Sequence, residues 1–203
     1  VDEPKHVPVR IYSAATHNCQ IQQLQPRGDN KHAVFLVTES EALSYQYELA
    51  LPKGSVQVSA DPRIAHTLNL MFDDYGRALQ SVAVVYPRSV DYEDQDKLLK
   101  PEQLALIHKV QSERQIAYTE MHFTHELPAN PDRHRLPAPC ETLTYELTGD
   151  DDFVPSSGLY FTINDFKSFN LTNDLPGQGM KPVIKLDYQQ QPANKKAHIR
   201  IID

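Results

Sequence analysis

The sequence predicts a mainly β protein: an antiparallel sheet of long hairpins, open or curled, with one short helix near 101–114. Three observations carry this. Apolar and polar residues alternate over most of the chain, the period of a half-buried strand. A turn cluster, Asp73-Asp74-Tyr75-Gly76, joins two such runs. Only one segment repeats its apolar residues at helical spacing.

Taken in order, Val7, Val9 and Ile11 alternate with Pro8, Arg10 and Tyr12 and read as a strand. Ala33-Val34-Phe35-Leu36-Val37 is a continuous apolar run, which suits a strand covered on both faces. Leu43, Tyr45, Tyr47 and Leu49 alternate with Ser44, Gln46 and Glu48. The short connector Thr38-Glu39-Ser40-Glu41 then predicts a hairpin between these two runs.

The strongest hairpin spans 68–86. Leu68, Leu70 and Phe72 share one face, with Thr67, Asn69 and Met71 on the other. Asp73-Asp74-Tyr75-Gly76 supplies side chains that bond their own backbone and a glycine that tolerates positive φ. Leu79, Ala83 and Val85 then alternate with Gln80, Val82 and Val84. Both runs are rich in β-branched or aromatic residues.

Residues 89–100 are acidic and polar and read as a loop. At 101–114, Pro101 opens a helix with Glu102 in its first turn. Leu104, Ile107 and Val110 form a stripe widened by Leu106, so the helix is expected over a sheet edge. Strands resume at 116–123, with Ile116 and Tyr118 on one parity and Ala117, Met121 and Phe123 on the other. Residues 128–139, rich in Pro, Arg and His, predict a long irregular crossing. Leu143, Tyr145 and Leu147 give a strand that stops at Gly149-Asp150-Asp151-Asp152. Leu159, Phe161 and Ile163 predict a short strand, and Ile184, Leu186, Tyr188, Ile199 and Ile201 the last ones.

At 203 residues the chain is long enough to bury a core, and no domain boundary or low-complexity linker interrupts it. A net charge of −7 argues against broad attraction to nucleic acid or anionic membrane. No apolar run approaches the roughly 20 residues that span a bilayer. Val1-Asp2-Glu3-Pro4-Lys5-His6 has neither an initiator Met nor the apolar centre of a signal peptide. The expectation is an internal segment, 1–203, of a longer polypeptide.

Candidate chemistry is sparse. Cys19 and Cys140 are far apart and form no CxxC pair, so two free, partly buried thiols are expected. His17 lies two residues before Cys19, without a third group to orient it. His122, His125 and His134 invite a metal, but on a strand positions three apart point to opposite faces. Asp73-Asp74 and Asp150-Asp151-Asp152 lack the alternating ligands of a calcium loop. Nucleophile elbows and phosphate-cradling glycine loops are absent from the sequence. Tyr45, Tyr47, Tyr75, Tyr86 and Phe123 suit a sugar platform or, more simply, cross-strand packing. No catalytic residue, cofactor or metal ligand is assigned.

Several blocks in order carry a resemblance. The turn Leu70-Met71-Phe72-Asp73-Asp74-Tyr75-Gly76-Arg77-Ala78-Leu79 resembles one Rhs/YD repeat, in which an aromatic-Asp-x-x-Gly-Arg turn joins two long strands. Around it stand Leu24-Gln25-Pro26, His32-Ala33-Val34-Phe35, Tyr45-Gln46-Tyr47-Glu48, Asp61-Pro62-Arg63-Ile64-Ala65-His66 and Tyr118-Thr119-Glu120. Pro139-Cys140-Glu141-Thr142 and Tyr145-Glu146-Leu147-Thr148-Gly149 follow. Together they resemble the middle region of the B component of bacterial insecticidal toxin complexes (Tc toxins), related to virulence-plasmid B proteins. The resemblance covers 17–167 and departs from the pattern at Met121-His122 and around 91–101.

The resemblance implies a non-enzymatic piece of a shell built from long Rhs-type hairpins, which encloses a toxic C-terminal cargo. Its implied partners are the rest of the B component, the C component and, indirectly, the A-component pore. It implies a secreted virulence complex, present in the producing cell's cytoplasm before release. Strand edges cut from such a wall are expected to bring copies together. The competing reading is a β-sandwich that binds a glycan or host protein through exposed tyrosines. A small hydrolase or metal-dependent enzyme, the metal resting on His122, His125 and His134, is a third.

Overall fold

The computed structural model describes residues 11–47, 61–92, 94, 97–130, 133–156, 158–171 and 180–202. Strand occupies 46% and helix 11%, so the protein is mainly β as the alternation predicts. An eight-stranded sheet runs in the order β1-β2-β3-β4-β5-β8-β10-β9 and does not close into a barrel. Its strands are β1 (Ser13–Gln25), β2 (Val34–Gln46), β3 (Arg63–Phe72), β4 (Ala78–Val85), β5 (Gln115–Phe123), β8 (Pro139–Thr148), β9 (Ile184–Lys185) and β10 (His198–Ile201). A separate ribbon pairs β6 (Leu127–Asn130) with β7 (Arg133–Arg135). Among the described residues the helices are α1 (Pro101–Ser112) and α2 (Ile163–Lys167). Neighbours in the large sheet are antiparallel except β9 and β10, whose pairing is parallel.

The hairpin β3–β4 forms as predicted, with Leu68 opposite Val82 and Ala65 opposite Val85. Leu68, Leu70, Val82, Val84, Ile116, Tyr118, Leu147 and Ile199 make one continuous buried face. Phe153, Phe161, Phe166, Phe169 and Leu171, from an irregular segment around α2, lie over that face as a cap. The opposite face carries Ala65, Thr67, Ala83 and Val85, all exposed. A single covered face therefore supplies the core, and its cover is an irregular cap, not the second sheet of a sandwich.

Several expectations are corrected. Thr38-Glu39-Ser40-Glu41 is not a connector: it lies inside β2, and β1 pairs along its length. The true turn is at 26–33, where Asn30 Nδ2 donates to the Pro26 carbonyl (3.0 Å) and Gln25 Nε2 to that of His32 (3.0 Å). The 38–41 stretch has no Gly, Pro or Asn to reverse the chain, so the extended path wins. Val34, Phe35 and Val37 are 44%, 53% and 57% exposed, not covered on both faces. Strand β3 pairs only with Glu41–Gln46 of β2, which among the described residues leaves 34–39 and their β1 partners as a two-stranded arm beyond the core.

Helix α1 forms at the predicted place but buries no residue, with Leu106 and Val110 61% and 50% exposed. Its ties are polar: the Arg88 amide donates to the Gln111 carbonyl (2.8 Å), and His108 Nε2 to that of Tyr92 (2.7 Å). The 128–139 crossing contains the β6–β7 ribbon. Instead of a strand at Leu159-Phe161-Ile163, the chain enters α2. Its capping box joins Thr162 and Asp165, with the Thr162 amide 2.7 Å from Asp165 Oδ2. The expected strand at Ile184, Leu186 and Tyr188 shrinks to the two residues of β9, and neither Leu186 nor Tyr188 is strand. Val7, Val9 and Leu49 lie outside the described residues.

Candidate functional site

Three side-chain clusters stand out, all built on the β2–β3–β4 region. The first is the hairpin turn. Asp73 Oδ1 accepts the amides of Tyr75 (3.0 Å) and Arg77 (2.9 Å), and the Asp73 amide donates to the Arg77 carbonyl (3.0 Å). Gly76, at φ 78°, takes the one position that requires a left-handed backbone. Arg77 Nε and Nη2 hold Asp73 Oδ2 at 2.7 and 2.6 Å, while Nη1 donates to the Pro137 carbonyl (2.8 Å). The guanidinium lies 4.0 Å over the Phe123 ring and 5.0 Å from that of Tyr75. Burial pushes the Asp73 carboxyl up, but the Arg77 pairing and the amides of Arg77 and Tyr75 outweigh it and hold it below its ordinary value.

This clamp ties the hairpin tip to the chain around β5 and β8. We expect Asp73→Ala to cost about 2 kcal/mol, because two amides and a guanidinium lose their acceptor together. Asp74→Ala, on an exposed side chain, should change stability by less than about 0.5 kcal/mol. Parallel thermal melts check this, and equal effects of the two variants would refute the clamp.

The second cluster sits at the opposite end of the hairpin. Asp61 accepts Arg88 Nε (2.8 Å) and the amides of Ser89 (3.1 Å) and Val90 (3.3 Å), fixing the chain as it leaves β4. Burial raises the Asp61 carboxyl, and these donors more than reverse that, leaving it below the ordinary range.

The third is a buried polar relay. His66 follows Ile64 and precedes Leu68 and Leu70 on the apolar parity of β3, and its ring is fully buried. His66 Nε2 lies 2.9 Å from Glu41 Oε1, and Nδ1 lies 2.9 Å from Tyr86 Oη. Tyr86 Oη also accepts the Phe161 amide (2.9 Å), and Glu41 Oε2 accepts Asn18 Nδ2. The relay thus runs from edge strand β1 through β2 and β3 to the residue after β4 and into the cap. Tyr160 packs edge-on against Tyr86, with centroids 5.0 Å apart, and Tyr45 lies 6.2 Å from Tyr160. Burial pushes the Tyr86 and Tyr160 hydroxyls up to about 12, so both keep their protons. Tyr118 is raised further by burial and by its bond to Glu120 (2.8 Å).

The residues weighed from the sequence fall elsewhere. His122 Nδ1 pairs with Glu141 (3.0 Å), and His125 and His134 are exposed. Among the described residues no three His, Cys, Asp or Glu side chains come together to hold a metal. Asp152 Oδ2 accepts the Ala197 amide (2.8 Å), while Asp150 and Asp151 are exposed. Cys19 and Cys140 are free and exposed, not partly buried, because β1 is an edge strand and Cys140 lies at the start of β8. His17 bonds Glu39 (2.6 Å) across the β1–β2 pair, so its partner is a carboxylate and not Cys19. Of the five aromatics, Tyr86 and Tyr45 join the relay cluster with Tyr47 near Tyr160, whereas Tyr75 and Phe123 flank Arg77. They form no single platform.

Sequence reasoning missed the relay. The signal was present: one histidine on the apolar parity of a strand, flanked by Ile64 and Leu68, must find partners inside the core. Its partners, Glu41 and Tyr86, lie 25 and 20 residues away. Only the strand register brings them within reach.

Comparison with known proteins agrees with the resemblance. The family described as the insecticide toxin TcdB middle/C-terminal region matches residues 2–136. No curated protein matches the chain. Among solved structures, the Photorhabdus luminescens Tc holotoxin pore is similar at a TM-score of 0.50 and 22% identity, over 73% of this chain and 6% of that one. At that identity the likeness is one of fold, and this chain corresponds to a small share of the other's length. The family match spans β1 to β5, the Asp73–Arg77 turn and the relay residues Glu41, His66 and Tyr86. The chain belongs to the TcdB middle/C-terminal region family of insecticide toxins.

Proposed function

We propose that this chain is a non-enzymatic wall segment of a toxin-complex B subunit, one β-rich unit of a larger Rhs/YD-type shell. In this reading the shell encloses a toxic C-terminal cargo and helps deliver it as part of a secreted virulence complex. Its partners are the rest of the B component, the C component and, through them, the A-component pore.

The observation that carries the reading is the open sheet edge. Strand β1 is 13 residues long, pairs on one side only among the described residues, and is exposed at every position but Gln25. It contains no Pro, Lys or Arg to blunt its edge, and Ile21 and Leu24 are 66% and 53% exposed. An edge of that kind recruits another strand. A wall needs such edges, whereas a free-standing domain is expected to protect them.

The test has two parts. The 203-residue chain should associate in light scattering, and Ile21→Lys with Leu24→Lys should make it monomeric. A monomeric parent chain would count against the edge. In the full-length B component, assembled with its C component, deletion of this segment should leave the cargo open to protease. Undiminished protection after the deletion would overturn the wall assignment.

A further inference from the structure

We propose that the Asn18–Glu41–His66–Tyr86–Phe161 relay is an acid-sensitive latch, which holds the aromatic cap on the sheet when His66 is neutral and releases it when His66 takes up a proton. The latch is a property of this fold and does not depend on the wall assignment.

Proton placement follows from the partners. Glu41 is a carboxylate that can only accept, so His66 Nε2 carries the hydrogen that lies between them. Tyr86 Oη already accepts the Phe161 amide, and its own O–H points to His66 Nδ1. Every group in the chain is then satisfied with a neutral imidazole. A second proton on Nδ1 turns two hydrogens toward each other across 2.9 Å. Tyr86 must swing its O–H away from Nδ1, which disturbs the oxygen that holds Phe161.

The cap depends on that oxygen. The Phe161 amide bonds the cap's backbone to Tyr86 at the end of β4, where the Phe161 and Tyr160 rings also pack against Tyr86. The segment has little stability of its own, since α2 has only five residues. Beneath it lie Leu68, Val84 and Ile116, so release exposes an apolar face.

The charged and titratable groups around His66 are few. Glu41 faces it from β2, Tyr86 from the end of β4, and Tyr160 from the cap with its ring 6.5 Å away. Arg114 lies further out, 4.9 Å over the Phe161 ring, and Tyr45 stands behind Tyr160. Among the described residues Glu41 is the only anion that acts on His66, and it pulls the imidazole toward the charged form. Burial works against it and prevails, holding His66 below its ordinary value of 6.5. The sign follows directly. A folded state that binds its proton less readily than the unfolded chain has its full contribution above about 6.5, and loses it as pH falls below that value.

The experiment is amide exchange on the full 203-residue chain between pH 7.5 and 5.0, corrected for intrinsic chemistry, with the imidazole nitrogens followed by NMR. At pH 7.5 His66 should be the neutral Nε2–H tautomer. Below pH 6.5 the amides of Phe161 and α2 should exchange faster relative to those of β3–β5, by up to about tenfold per pH unit for one proton. His66→Gln, which keeps a donor and an acceptor without titrating, should flatten this response. Should that variant fail to fold, Tyr86→Phe retains the ring and loses the hydroxyl. Its cap amides should already exchange fast at pH 7.5 and gain little on acidification. An Nδ1–H tautomer, a cap no faster than the strands at pH 5.0, or an undiminished pH response in Tyr86→Phe would overturn the latch.

Discussion

Replacing Phe166 by alanine should cost about 3–5 kcal/mol, the largest single loss we expect from a side-chain truncation in this chain. Phe166 is completely buried, on a helix of only five residues. Its ring lies 4.9 Å from that of Phe161 and 6.1 Å from that of Phe153, so it ties together the two arms of the cap. The capping box of Thr162 and Asp165, with the Ser156 amide on Asp165 (3.1 Å), shapes the turn but does not press it onto the sheet. That task falls to apolar burial. With a denaturant slope of about 2–3 kcal/mol per molar urea, the unfolding midpoint should fall by roughly 1.5 M. A loss below about 1 kcal/mol would mean that the cap melts separately from the sheet.

Gly149→Ala should be nearly as damaging, by a different route. Gly149 ends β8 at φ 137°, a conformation that side chains rarely adopt. A Cβ there would lie 2.3 Å from the Lys196 carbonyl oxygen and 2.9 Å from Ala197 Cα, both backbone atoms that cannot rotate away. Ala197 is itself fixed, since its amide donates to Asp152 and its carbonyl accepts the Ile184 amide (2.8 Å). The strain must therefore push β10 away from β8, at about 3–5 kcal/mol for overpacking and backbone strain together. Gly158→Ala provides the control. At φ 77° with open space around it, it should cost only about 1–2 kcal/mol. Urea titrations of the two variants separate the outcomes, and equal losses would show that the approach of 195–197 to Gly149 is not tight.

Both sites were visible in the sequence only in part. Gly149 marked the end of a strand because Asp150, Asp151 and Asp152 follow it, yet nothing local announced that residues 196 and 197 would close over it. Phe166 stood in a stretch that the alternation of Leu159, Phe161 and Ile163 suggested was strand. The capping pair Thr162 and Asp165, three apart, was the better local guide, and α2 forms there. His66 could be recognised as a polar residue on an apolar parity, but not as the centre of a relay.

By itself the sequence determined the strands of the central meander, because a period of two is a local property of each segment. It determined the β3–β4 turn as well, since Asp73 and Gly76 satisfy that bend within five residues. It also determined the family, through blocks spread along the chain. The tertiary structure alone decided which parity is buried. In β4 both sets are apolar, Val82 with Val84 and Ala83 with Val85. Only the first lies under Phe153, Phe161 and Phe166, which are some 70 residues or more further along. The same cause left Val34, Phe35 and Val37 uncovered, because the cap does not extend over the β1–β2 arm. Burial depends on what lies opposite a strand face, and that is set by long-range packing that no local period encodes.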